Sequence, residues 1–155
     1  MKKTKVFVIY DSLYGNTEKT AKAISASLKN SKLLHIGNVN PEDLKKADLI
    51  VFGSPTQGGN ATSDIRYFLS LPELDLKGLK VAVFDTRLDE RDMNFILRMM
   101  IGKLSFAAPK MAEALKNKGA VLVKKPKGFF VTGKVGPLKS GELQKAELWL
   151  KNYGR

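Results

Sequence analysis

Between Tyr10 and Glu18 the chain reads Asp11-Ser12-Leu13-Tyr14-Gly15-Asn16-Thr17, and this run carries its strongest chemical signal. The apolar run Val6-Phe7-Val8-Ile9-Tyr10 precedes it, and Ala21, Ile24 and Leu28 follow at helical spacing. A loop leading straight from a strand into a helix presents backbone N–H groups that have no intrahelical partner. The aligned peptide dipoles add partial positive charge at the same place. Together these suit a phosphate dianion. Gly15 lets the main chain come close to such an anion. Ser12, Thr17 and the Asn16 amide are further donors. No lysine is required, and the loop contains none.

Two more segments stand where ligand-facing loops belong. Gly53-Ser54-Pro55-Thr56-Gln57-Gly58-Gly59-Asn60 ends the apolar run at 49–52, and Phe84-Asp85-Thr86-Arg87 ends the run at 80–84. Gly58 and Gly59 permit close approach and unusual backbone angles. Asp85 and Arg87 are also spaced to pair with each other. Other chemistries find no support. Residues 128–134 have the glycine and lysine spacing of a P-loop, but Val135 replaces the required Ser or Thr and the apolar run lies inside the motif. There is no nucleophile elbow and no dinucleotide fingerprint. Nor does a phosphorylatable Asp end the third strand. His35 has no ligand partners at metal spacing and reads as structural. No catalytic residue and no metal ligand is assigned.

The elements that must position these loops alternate between two periods. Strands are expected at 6–10, 33–36, 49–52 and 80–84. A fifth, at 120–123 and 128–131, is broken by Lys124-Lys125-Pro126-Lys127. Helices are expected at 17–28, 41–46, 63–71 and 107–118, the last stopped by Gly119. A final helix starts from Ser140 as N-cap, with Glu142 in its first turn. Trp149 and Tyr153 pack on that helix. Residues 88–104 read as a helical insert that packs into the core, or as a mobile lid or partner surface, for which flexible methionine side chains are suited. Alternating strands and helices imply an α/β fold whose parallel sheet has helices on both faces and whose ligands gather at the strands' carboxyl ends. One domain, 1–155, is expected.

The strand, the Ser12-x-x-Gly15-Asn16-Thr17 loop and the helix resemble the phosphate loop of the flavodoxins. This resemblance implies a doubly wound five-stranded parallel sheet of order 2-1-3-4-5, with FMN as cofactor. It assigns the phosphate to Ser12, Leu13, Tyr14, Gly15, Asn16 and Thr17. It assigns the flavin ring to Ser54, Pro55, Thr56, Gln57, Gly58 and Gly59, and to Asp85, Thr86 and Arg87. Tyr14 stands where the family has a second short hydroxyl. The stacking aromatic usual in the second loop is absent, as is the usual glycine, aspartate and aromatic pattern of the third. In the family a peptide of the second loop reorients on reduction so that its carbonyl accepts a hydrogen bond from the flavin.

Three functions follow as expectations. The first is an FMN-binding electron carrier. The second is an FMN-dependent reductase of a quinone-type acceptor. The third is a flavodoxin-like binding module that has lost the flavin. Composition adds the setting. The 155 residues contain no cysteine, which suits a reducing compartment such as the cytoplasm. The basic lead-in before Val6 belongs to the first strand rather than to a secretory leader, because Asp11 ends the apolar run too soon. No run is long and apolar enough to span a bilayer. The net charge is +12, and residues 79–155 hold 16 basic against 7 acidic side chains. Such an excess forms a solvated lysine-rich surface or draws an acidic redox partner. No run interleaves basic residues with stacking aromatics, which argues against nucleic acid. A basic flavodoxin is also expected to have a less negative hydroquinone potential than acidic ones.

Overall fold

A computed structural model of the chain describes residues 3–94 and 105–153. The central strand β1 (Val6–Tyr10) is buried at every position, as its unbroken apolar run requires. It pairs in parallel with β2 (Ser31–His35) on one side and β3 (Leu49–Pro55) on the other. β3 pairs in parallel with β4 (Lys80–Leu88). β4 then carries β5 (Val121–Leu122) along its first half and β6 (Lys127–Val131) along its second. The order is thus 2-1-3-4-5, with β5 and β6 sharing the last edge. Pro126 has no N–H to give to the ladder, which accounts for the break between β5 and β6.

Side chains alternate across each strand and sort the core into two halves. Phe7, Ile9, Ile50, Phe52, Val81 and Val83 face the helices α2 (Ser63–Ser70) and α3 (Ala107–Asn117). Val6, Val8, Tyr10, Leu49, Val51, Ala82 and Phe84 face α1 (Asn16–Ala26) and α4 (Glu142–Trp149). On that second face Phe84, Phe129 and Trp149 meet edge to face, with ring centroids 5.8 to 6.1 Å apart. Edge-to-face pairs each contribute about 0.5–1.5 kcal/mol beyond the area they bury. Trp149 therefore belongs to the core, as its helical spacing suggests.

Several boundaries differ from expectation, each for a local reason. β3 runs on through Gly53-Ser54-Pro55, and β4 runs on through Asp85-Thr86-Arg87-Leu88, because the two extensions pair with each other and the β4 extension also pairs with β6. Segment 41–46 is a 3₁₀ helix, capped by the Asn40 side chain on the amide of Glu42. The N-cap of α4 is Gly141 at φ 88°, not Ser140. Glu142 is buried; it accepts hydrogen bonds from the amide of Phe130 and from Lys145. Of the 88–104 insert, residues Glu90–Asp92 form a 3₁₀ turn, and 95–104 lie outside the described residues. No helix among the described residues is long and apolar enough to cross a membrane.

Candidate functional site

The start of the Ser12–Thr17 loop is fixed by Asp11. Its carboxylate accepts hydrogen bonds from the Thr62 hydroxyl at 2.6 Å and from the Ser12 amide at 2.9 Å. His35 Nε2 lies 3.2 Å from the same carboxylate, while His35 Nδ1 accepts from the Gly37 amide at 3.0 Å. Because Nδ1 accepts, Nε2 carries the proton and donates to Asp11. His35 is therefore a brace for the loop, and no metal-binding cluster of His, Cys, Asp or Glu occurs among the described residues.

From Asp11 the chain turns into α1 through Gly15, whose φ of 92° only glycine takes without strain. Ser12 Oγ accepts from the amides of Gly15 and Glu18 at 3.1 and 3.3 Å. The amides of Leu13, Tyr14, Asn16 and Thr17 have no hydrogen-bond partner among the described residues. Among the described residues beyond its chain neighbours, nothing lies within 4 Å of the point where a Cβ on Gly15 would sit. The loop thus presents open amide donors at a helix N-terminus beside empty space.

Against the same loop lies a cavity of about 420 Å³, a usual size for a cofactor site. Leu13, Tyr14, Asn16 and Thr17 form one wall. Pro55, Thr56, Gln57 and Gly58 form a second, and Thr86, Arg87 and Leu88 a third. The structure thereby gathers most of the residues singled out in the sequence. Ser12, Gly15, Ser54, Gly59 and Asp85 are not in the lining and support it from behind. Ser54 Oγ is fully buried; it accepts from the Thr62 amide at 3.0 Å and donates to the Pro55 carbonyl at 2.9 Å. Gly58 and Gly59 form the turn of a tight hairpin, with φ of 54° and 81° and reciprocal hydrogen bonds between Gln57 and Asn60. Ser105 donates to the Gly59 carbonyl at 3.1 Å, so of the two glycines only Gly58 faces the cavity.

Asp85 departs furthest from a ligand contact. It lies inside β4, fully buried, and holds Arg87 through two hydrogen bonds of 2.6 and 2.8 Å. The Ala108 amide donates to the same carboxylate at 2.8 Å. Burial pushes its carboxyl up from the usual range, and Arg87 and the Ala108 amide oppose that push. The side chains of the phosphate loop are also more committed than their types suggest. The Thr17 and Thr86 hydroxyls share a buried hydrogen bond of 2.8 Å, and Asn16 Nδ2 donates to the Val135 carbonyl. The main-chain amides remain as the donors for an anion.

Sequence reasoning missed a fourth wall: Val131, Gly133 and Lys134, from the loop after β6. The glycine and lysine that mimic a P-loop are here, over 115 positions from the phosphate loop yet against the same cavity. The only available signal was that this segment follows the last strand's carboxyl end, where ligand loops collect.

Comparison with known proteins agrees with this geometry. Residues 7–148 match the family described as flavodoxin domain. The chain belongs to the flavodoxin domain family. A flavodoxin of Clostridium saccharobutylicum is 30% identical over 88 residues, an alignment that spans 53% of this chain and 55% of that protein. The chain thus spans about half the length of the curated relative it matches. A solved flavodoxin from the domain Archaea superposes with a TM-score of 0.76 at 20% identity, covering 97% of this chain and 96% of that one. Oxidised flavodoxin 2 from Bacillus cereus superposes with a TM-score of 0.69 at 27% identity, covering 94% of each chain. In this flavodoxin domain the cavity lies at the carboxyl end of the sheet, where the strand order reverses between β1 and β3.

Proposed function

We propose that this flavodoxin domain is an electron carrier that holds FMN in the cavity between α1 and the ends of β3 and β4. One observation carries the reading: among the described residues, the amides of Leu13, Tyr14, Asn16 and Thr17 have no partner, and they flank a glycine with open space beside it. A phosphate dianion is the ligand that such a helix start favours. When bound, FMN supplies the redox chemistry, and the protein supplies position and electrostatics.

Each residue then has a task. The loop amides hold the phosphate, with Ser12 and Gly15 shaping the turn that aims them. Thr56, Gln57 and Gly58 line the side toward the flavin ring, and the Gly58–Gly59 peptide has the conformational freedom to turn its carbonyl toward the ring. Ser54, Gly59 and Asp85 keep these walls in place. Family membership favours the carrier over the reductase and over a module without flavin. The basic second half of the chain supports an acidic redox protein as partner. The lack of cysteine supports a cytoplasmic setting.

The test is a titration of the full chain with FMN and, separately, with riboflavin, followed by quenching of flavin fluorescence. Saturable quenching with FMN bound at least tenfold more tightly than riboflavin is the expected result. No quenching with either compound refutes the reading.

A further inference from the structure

Arg87 has an unusual environment for a side chain in a cofactor cavity. Strand alternation puts Thr86 and Leu88 on the α1 side of β4, and Asp85 and Arg87 on the α3 side. Arg87 therefore reaches the cavity from the face opposite the phosphate loop. Its guanidinium is fixed in three ways. Asp85 engages Nε and Nη2 at 2.6 and 2.8 Å and leaves Nη1. The Phe106 ring stacks on it at 3.8 Å from the centroid. On neighbouring β6, a Cβ at Gly128 would come within 2.3 Å of Nε, so only glycine there leaves room for it. The side chain is 16% exposed, and its carboxylate partner is fully buried behind it. The pair is thus an oriented dipole with its positive end in the cavity wall.

On the reading that this cavity holds FMN, we propose that Arg87 sets the reduction potential of the bound flavin by stabilising the negative charge added on reduction. The balance is simple. Two electrons and one proton enter the flavin, no group leaves, and the flavin ends one negative charge richer. The electrons come from a one-electron reductant, a low-potential dye in the experiment. A fixed cation in a partly desolvated wall stabilises that charge without reorganising. Asp85 and Phe106 hold the cation in place before reduction occurs.

The experiment measures the two-electron midpoint of the FMN-loaded full chain by spectroelectrochemistry, together with oxidised-FMN and riboflavin affinity and a thermal melt. In D85N/R87Q, which removes both charges and keeps similar shapes, reduced FMN should bind about tenfold more weakly relative to oxidised FMN. That corresponds to a midpoint about 30 mV more negative. D85N alone keeps the cation, removes its counter-charge and should move the midpoint the other way. R87K should stay closer to the parent than the double variant does. A purely structural Arg87 would lower the melting temperature and leave the midpoint alone, and that result overturns the proposal. So does a loss of FMN affinity with riboflavin affinity and midpoint unchanged, which would assign Arg87 to the phosphate. If the double variant does not fold, D85N decides, and a midpoint that fails to rise overturns the proposal. A parent chain that binds no FMN would instead refute the cofactor reading itself.

Discussion

Asn16 Nδ2 donates to the carbonyl of Val135 at 2.9 Å, joining the first turn of α1 to the loop after β6. The two residues are 119 positions apart. Gly136 has a φ of 98°, and a Cβ there would lie 2.3 Å from Asn16 Nδ2. The phosphate wall and the Gly133-Lys134 wall are therefore a single unit. Asn16→Ala should loosen both. One neutral hydrogen bond contributes about 0.5–1.5 kcal/mol, so FMN should bind about two- to tenfold more weakly. Fluorescence titration measures this, and an affinity equal to that of the parent would show that the loops act independently.

Gly15→Ala separates conformation from space. The new methyl meets nothing within 4 Å among the described residues, so no clash with them arises. The left-handed backbone at φ 92° nevertheless costs an L-residue about 1–2 kcal/mol. For a chain of this size that corresponds to a fall in Tm of about 2–8 °C. The distorted turn also misaims the loop amides. FMN affinity should therefore drop while riboflavin affinity, which needs no phosphate contact, changes little. A parallel loss for both flavins would place the phosphate elsewhere.

These two positions also show what could be read from the sequence. The buried strand Val6–Tyr10, the Ser12–Thr17 loop and the two-faced sheet follow from local pattern, because period and glycine placement are local properties. The polar ends of β3 and β4 did not. Ser54, Asp85 and Thr86 look like loop residues, since a polar group in a strand end needs a partner. Those partners are the Thr62 amide, the Ala108 amide and the Thr17 hydroxyl, all brought in by the tertiary fold. The Gly133-Lys134 wall was hidden for the same reason. Its place beside Asn16 depends on β6 pairing with the second half of β4.

The acid limb of stability should depend on Asp89. Hydrogen bonds from the Arg91 side chain and backbone hold its carboxyl below the usual range, with a further one from Lys139. A carboxylate with a depressed folded pKa stabilises the fold above its unfolded value, near pH 4, and this contribution fades as pH falls through the folded value. Asp89→Asn should therefore lower stability at pH 7 and flatten its further loss below about pH 4. Urea midpoints from pH 7 to pH 2 are the measurement. Curves for parent and variant that run parallel over the whole range would contradict this assignment.

Salt should separate the two binding events of this domain. On the proposed reading the phosphate would be held by neutral amides and a helix terminus inside a cavity, and buried contacts of that kind are weakly screened. On the same reading an acidic redox partner would be drawn by the basic second half of the chain, in which residues 79–155 include 16 basic against 7 acidic side chains. Attraction over such a surface acts mainly on the rate of encounter. Raising ionic strength from about 0.1 to 1 M shortens the screening length from about 10 to 3 Å. The second-order rate of electron transfer to an acidic redox protein should fall by at least tenfold over that range. The FMN dissociation constant should move by less than threefold. Stopped-flow absorbance at several salt concentrations gives the first quantity, and flavin fluorescence gives the second. An electron-transfer rate insensitive to salt, or one that rises with it, would mean that the lysines form a solvated coat and that the partner docks by another surface.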